Sequence, residues 1–309
     1  MKKKRVLITG GSGLLALNWA CAVRDSWDVV LCTHKHTVQL AGVLSVSFDL
    51  NNSDTVSRQV ADLSPDLVVH TAGMTSVDQC ELSPTIAQDA NTDLAIRIAE
   101  TTAHQAVKLI HISTDHLFSG TSSLCTEAEA PQPINQYGRT KALAEKGVLS
   151  ANPDALILRT NFFGWGSANR QSFTDWLIYS LRAGQTLTLF DNVFVTPILA
   201  DVLVVAAHDL VDKGATGIYN LVGDQRLSKF EFAVLLADQF MLPLELISPR
   251  HFDGSELVAA RPRDMSLDNG KARQMLGRDL GKVPQFLEML GKQESAGRST
   301  ELLAAVNLM

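Results

Sequence analysis

The stretch Arg5-Val6-Leu7-Ile8-Thr9-Gly10-Gly11-Ser12-Gly13-Leu14-Leu15-Ala16 decides the fold. A β-branched and leucine-rich run reads as a buried strand over Arg5–Thr9, and the apolar-periodic segment Leu14–Arg24 reads as a helix. The glycine turn between them is the context in which a Gly-rich motif holds a dinucleotide. Glycine lets the backbone approach a pyrophosphate, and the helix N-terminus then meets the charge with free N–H groups. Ala16 stands where a third small residue packs the helix against the sheet. Gly10, Ser12, Gly13, Leu14 and Leu15 are thus candidate cofactor residues.

Outward from this turn the strand–helix alternation continues. Val29–Thr33, Ser45–Phe48, Leu67–His70, Leu109–Ser113 and Ala155–Arg159 read as strands. Ser53–Asp62, Ile86–His104 and a segment from Gln136 to about Leu149 read as helices. The pattern predicts an α/β fold, a doubly wound parallel sheet of Rossmann type with a smaller C-terminal substrate-binding region. The expected division is 1–160 for the dinucleotide-binding domain, with returning segments near 190–222, then 161–189 and 223–292 for the substrate-binding region. Residues 198–210 and 229–241 read as helices and 218–222 as a strand. The tail 293–309 is expected to be loosely ordered.

Composition narrows the function. The chain has 309 residues, 46% of them hydrophobic and 19% charged, and a net charge of −6, which suits a globular protein and gives no footprint for nucleic acid. Neither a secretory h-region nor an apolar run of about 20 residues is seen, and the four cysteines lack metal-type spacing. A cytoplasmic protein with reduced thiols is the expectation. His34 and His36, two apart with no third ligand nearby, make a poor metal site, so no metal is expected.

In an NAD-preferring site a carboxylate about 20 residues past the glycine loop meets the ribose 2′-hydroxyl. Here the second strand ends Cys32-Thr33-His34-Lys35-His36. Lys35, with His34 or His36, is suited to a 2′-phosphate, which favours NADP over NAD, although exposed loop residues without a ligand stay open as the alternative, and Thr33 is a further cofactor candidate. Asp49 and Leu50, after the third strand, are placed to border an adenine.

Tyr137-Gly138-Arg139-Thr140-Lys141 puts a phenol and an ammonium one helical turn apart. A cation beside a tyrosine lowers its pKa from about 10, so Tyr137 is expected to act as the general acid in ketone reduction, with Lys141 as the cation that tunes it. Ile112-Ser113-Thr114-Asp115 ends the fifth strand at the edge where the glycine loop lies, which lets Thr114 donate to a substrate carbonyl. Trp165 and Trp176 suit either base stacking or core packing, and His111 reads as a satisfied core histidine.

These residues resemble the extended short-chain dehydrogenase/reductase superfamily, most closely its dTDP-4-dehydrorhamnose reductase-like branch, over most of the chain. The resemblance is carried by His70-Thr71-Ala72-Gly73, Val77-Asp78-Gln79-Cys80-Glu81, Asn91, Ser113 to Gly120, Asn135 to Lys141, Arg159 to Gly164, Thr196-Pro197 and Ala260-Arg261-Pro262-Arg263. It implies catalysis by Thr114, Tyr137 and Lys141, an Ala72 and Gly73 that line the cofactor, and an Asn91 that supports the active-site helix. Thr75, Asp115, His116, Asn161, Phe162 and Arg261 are the candidate substrate residues. His116 and Phe162 replace the tyrosine and tryptophan usual in that branch.

The reaction so implied is NADP-dependent reduction of a nucleotide-linked 4-keto-6-deoxysugar. The expected partners are this nucleotide sugar and, in a homodimer, a second copy of the chain, with neither nucleic acid nor membrane. His116 stands where nucleotide-sugar 4,6-dehydratases carry Glu, which disfavours dehydration. An epimerase of the same superfamily and a regulatory subunit resembling methionine adenosyltransferase beta remain as alternatives.

Overall fold

A computed structural model describes residues 3–34, 36–50, 52–254 and 257–308. Seven strands, β1 (Arg5–Thr9), β2 (Asp28–Thr33), β3 (Val43–Ser47), β4 (Leu67–His70), β5 (Lys108–Ile112), β6 (Leu156–Arg159) and β7 (Gly217–Asn220), form one sheet. Every neighbouring pair in it is parallel. The spatial order is β7-β6-β5-β4-β1-β2-β3. The chain winds outward from β1 in one direction, returns, and winds the other way, so a crevice opens beyond the carboxyl ends of β1 and β4.

Strand alternation assigns the two faces. Val6 and Ile8, Val29 and Leu31, and Leu156 and Leu158 point into one core. Leu7, Val30 and Ile157 point into the other. On the first face lie α1 (Leu14–Val23) and the returning helix Ala200–Asp212, and on the second lie Ser53–Leu63, Leu94–His104 and Gln136–Ala151. Because both faces are covered, the inner strands β1, β2, β4, β5 and β6 are apolar at nearly every interior position, as buried parallel strands are.

Three elements depart from the sequence reading. The helix expected over Ile86–His104 is split into Pro84–Gln88, a π-helical turn Asp89–Asp93 and Leu94–His104. The turn lets Asn91 reach two segments at once, a use typical of π-bulges. Ile198–Leu199 is a short strand paired with Phe162–Phe163, and its helix begins only at Ala200.

The tail is the third correction, for it is structured rather than loose. Val283–Ser295 and Arg298–Ala304 are helices, and Val306–Leu308 pairs antiparallel with His36–Val38. Leu302 is fully buried, Glu301 clamps Arg24 through both carboxylate oxygens at 2.5 and 2.9 Å, and Ala305 accepts from Gln39 N. The apolar spacing within 298–306 is too short to be told from a polar tail, whereas its partners lie up to 277 residues away in sequence.

Among the described residues no helix is long and apolar enough to cross a membrane, and no group of three His, Cys, Asp or Glu side chains gathers to hold a metal. The four cysteines are free thiols and buried.

Candidate active site

The glycine turn closes on itself before α1 begins. Gly10 adopts φ +70°, and a Cβ there would lie 2.9 Å from both the Cα and the N of Ala72, so the β1 turn and the loop after β4 approach as only glycine allows. Gly11 N donates to Cys32 O and Gly13 N to Gly10 O, each at 2.8 Å. At the start of α1, Gly13 offers no side-chain cap and the first turn carries no carboxylate. The first N–H groups of a ten-residue helix are left to an anion, the arrangement that suits a pyrophosphate.

Along this turn runs a cleft of about 600 Å³. Gly10, Ser12, Gly13, Leu14, Leu15, Ala72, Gly73 and Asn91 line its cofactor side. Thr114, Tyr137 and Lys141 line its floor, and Thr75, Asp115, His116, Asn161 and Phe162 its outer part. A second cleft of about 480 Å³ shares Gly10, Ser12, Ala72 and Gly73 with the first and adds Thr33, His34 and Leu50. The two clefts therefore flank the glycine turn as the halves of a dinucleotide would.

Two expectations part from this geometry. Asp49 lines neither cleft, because the chain turns at the end of β3 and presents Leu50 instead. Arg261 stays outside both linings, held at 3.0 Å in an ion pair with Asp78 while it donates to Ala259 O. Lys35 lies outside the described residues. Trp165 is fully buried in the core and Trp176 stacks on Phe173, so neither tryptophan enters the cleft.

The helix that carries the phenol is held from three sides. Asn135 caps it by accepting from Gly138 N at 2.8 Å and donates from its amide to Ala260 O. A Cβ at Gly138 would stand 2.3 Å from His116 O, so glycine is required for this helix to seat on the end of β5. On the far side Asn91 donates to Met74 O and Thr140 Oγ1 at 3.0 Å each and accepts from Met74 N, while Thr92 donates to Thr140 O. The loop after β4 is thereby tied to the tyrosine helix through one amide.

Burial pushes the Tyr137 phenol up to about 12, against the pull of hydrogen bonding with Thr114. This corrects the expectation of a phenol made more acidic by Lys141. The ammonium points instead at Ile112 O, 2.6 Å away, and at His111 Nε2, 3.2 Å away. Lys141 is itself lowered to about 8 by burial, which Glu145 partly opposes. Thr114 Oγ1 accepts from His116 N and donates to Asp115 Oδ1, both at 3.2 Å, and Asp115 Oδ2 accepts from Asn161 at 2.5 Å. His116 packs edge-on against the Tyr137 ring at 5.5 Å, and burial lowers its pKa.

Sequence reading missed several participants. Arg97 lines the second cleft with its guanidinium anchored to Leu50 O at 2.6 Å. Its spacing of six from Asn91 puts it on another face of a regular helix, so periodicity does not point to it. Arg170, in a loop, and Phe173, the first residue of the helix Phe173–Arg182, close the outer cleft; the capping pair Ser172 and Asp175 is a signal for that helix but not for its place at the cleft. Beneath the floor, Glu145 accepts from Ser113 Oγ at 2.6 Å and pairs with Arg159 at 2.7 Å, a buried network that joins β5, β6 and the tyrosine helix.

A family model described as RmlD substrate binding domain matches residues 4–291. A probable low-salt glycan biosynthesis reductase, Agl14, of Haloferax volcanii is 28% identical over 87% of this chain and 91% of its own length. Methionine adenosyltransferase 2 subunit beta of Bos taurus is 30% identical over 86% of this chain and 80% of its own length. In structure, the dTDP-4-dehydrorhamnose reductase of Bacillus anthracis, solved in complex with NADP, superposes with a TM-score of 0.83 at 23% identity, over 94% of this chain and 99% of that one.

Proposed function

The chain belongs to the RmlD substrate binding domain family, and from that membership we propose that it reduces the C4 ketone of a nucleotide-linked 4-keto-6-deoxysugar with NADPH. The observation that carries this reading is the gathering of Thr114, Tyr137 and Lys141 in one cleft with the glycine turn. The cradle fits a dinucleotide: Gly10 has the space and the backbone conformation for close approach, and the uncapped start of α1 suits the diphosphate. His34, His36 and Arg97 bring nitrogen donors to the adenosine side, which favours a 2′-phosphate.

The bound nicotinamide would supply the hydride. Thr114 turns its hydroxyl proton from Asp115 Oδ1 to the substrate carbonyl and sets its direction, while the phenol, kept protonated by burial, hands its proton to the forming alkoxide. With its pKa near 12 the phenol keeps its proton at neutral pH, the form that reduction uses. Lys141, which lines the cleft, would hold the nicotinamide ribose. Asp115 orients Asn161 and Thr114, and Phe162 forms the apolar wall of the sugar pocket.

The test is NADPH consumption with a panel of 4-keto-6-deoxy nucleotide sugars, wild type against Tyr137→Phe. We expect turnover in the wild type and a loss of at least about 100-fold in the variant with cofactor binding retained. Equal rates in the two proteins would sink the assignment. A second reading is favoured by one observation, an identity to a methionine adenosyltransferase beta subunit similar to that of the reductase: a binding subunit without catalysis. It gains ground if no ketosugar is turned over while a methionine adenosyltransferase catalytic subunit is bound tightly. An epimerase would instead purify with cofactor bound and turn over with none added.

A further inference from the structure

Beneath the catalytic floor two buried histidines stand in a line that the mechanism above does not use. His111 on β5 and His70 on β4 occupy paired positions of adjacent strands, and their rings stack at 5.4 Å with planes 25° apart. Each is 1% exposed. At one end of the line Lys141 Nζ meets His111 Nε2 at 3.2 Å, and at the other His70 Nδ1 meets Thr9 Oγ1 at 2.7 Å.

The hydrogen bonds dictate the proton positions. An ammonium has only donors, so His111 Nε2 accepts and the imidazole carries its proton on Nδ1. Thr9 Oγ1 already accepts from Thr71 N at 3.2 Å and Ala72 N at 3.3 Å, so its own proton goes to His70 Nδ1. His70 is then protonated on Nε2. Both rings are neutral, and burial together with the Lys141 charge holds their pKa values far below the ordinary range, that of His70 at about 3. Among the described residues His111 Nδ1 and His70 Nε2 find no hydrogen-bond partner. Folded chains seldom carry two such nitrogens in a core without return, since each costs about 1–3 kcal/mol.

We propose that His111 is a positioning residue for Lys141, whose ammonium it fixes between its own Nε2 and the Ile112 carbonyl, and that His70 braces this histidine against Thr9 and the cofactor loop. The inference rests on the reading of Lys141 as the residue that meets the cofactor ribose. Each neighbouring ionisable group has a place in it. Glu145, one turn along the same helix, is engaged by Arg159 of β6 and Ser113, His70 of β4 faces the lysine across His111, and Tyr137 looks outward to Thr114. His111 is therefore the side chain that supplies the lysine with an acceptor.

The sign follows. An acceptor favours the charged lysine, and its removal from a buried site favours the neutral amine. The experiment measures NADPH affinity by quenching of protein fluorescence between pH 6 and pH 10 for wild type, His111→Phe and His111→Gln. In the wild type, binding should weaken as pH rises past about 8, where Lys141 loses its proton. In His111→Phe the midpoint should fall by about one pH unit, and in His111→Gln, whose amide oxygen can accept, it should return toward the wild-type value.

An unchanged midpoint in a folded His111→Phe protein, or affinity in the wild type that does not vary with pH, overturns the proposal. If the phenylalanine variant does not fold, His111→Asn, whose shorter amide cannot reach Nζ, is read in its place by the same criteria. The readout is binding, so it separates from the function proposed above. Failure to reduce any ketosugar leaves a shifted midpoint standing as support, whereas a wild type that binds no NADPH at any pH overturns this inference directly.

Discussion

The two halves of the cleft are built from different materials. On the cofactor side the diphosphate cradle is backbone, the Gly10 turn, the loop at Ala72 and Gly73, and the start of α1, and side chains such as His34, His36 and Arg97 enter only toward the adenosine. On the substrate side the contacts are side chains, Asp115, Asn161, Phe162, Arg170 and Phe173, supplied by the segments after β5 and β6, a loop and the start of the helix Phe173–Arg182. A backbone cradle tolerates many sequences so long as its glycines remain, whereas a pocket of side chains changes its ligand with each substitution. One side of this molecule is thus generic and the other particular. This explains how relatives of similar identity bear the names of a glycan reductase and of a methionine adenosyltransferase subunit.

Three substitutions test that contrast. The largest effect is expected from Glu145→Ala, because the Glu145–Arg159 pair lies beneath both halves with side chains 4% and 2% exposed. Removal of one partner strands a buried guanidinium and should cost about 3–5 kcal/mol, or roughly 10 °C in Tm for a chain of this size. Cofactor and substrate binding should fail together on heating, and a Tm within 2 °C or so of wild type would show that the halves do not share this support.

Next comes Gly10→Ala, which places a Cβ 2.9 Å from the Ala72 backbone at φ +70°. The strain should weaken NADPH roughly 10–100-fold in an isothermal titration and leave nucleotide-sugar binding to the outer pocket near wild type. Equal loss of both ligands would break the comparison. The smallest effect belongs to Asn161→Ala, which deprives Asp115 of its 2.5 Å donor. We expect KM for the ketosugar to rise about tenfold while the Kd for NADPH stays constant. A change in Kd instead would place Asn161 on the cofactor side.

Much of the cofactor half was legible without coordinates. β1 and β4 were read to the residue, since apolar runs bounded by Gly or polar turns carry their own limits. The Tyr137–Lys141 spacing likewise placed both side chains at the floor. The direction of the Lys141 ammonium was not legible. Helical spacing puts it one turn from the phenol, but the stronger acceptors, Ile112 O and His111 Nε2, come from a neighbouring strand. For the same reason the phenol's pKa was anticipated with the wrong sign, because burial outweighed a cation that faces elsewhere.

What the linear order of residues determined by itself was local and periodic: which segments are strands, which are helices, and where glycine must turn the chain. These follow from interactions within a few positions, which period and residue type record directly. Tertiary structure alone decided the π-turn that frees Asn91, the tail that docks on Arg24 and His36–Val38, the stacked histidines under Lys141, and the closure of the outer pocket by Arg170 and Phe173. Each of those depends on segments tens to hundreds of residues apart, brought together by the order of strands in the sheet, and no periodicity in the chain encodes that order.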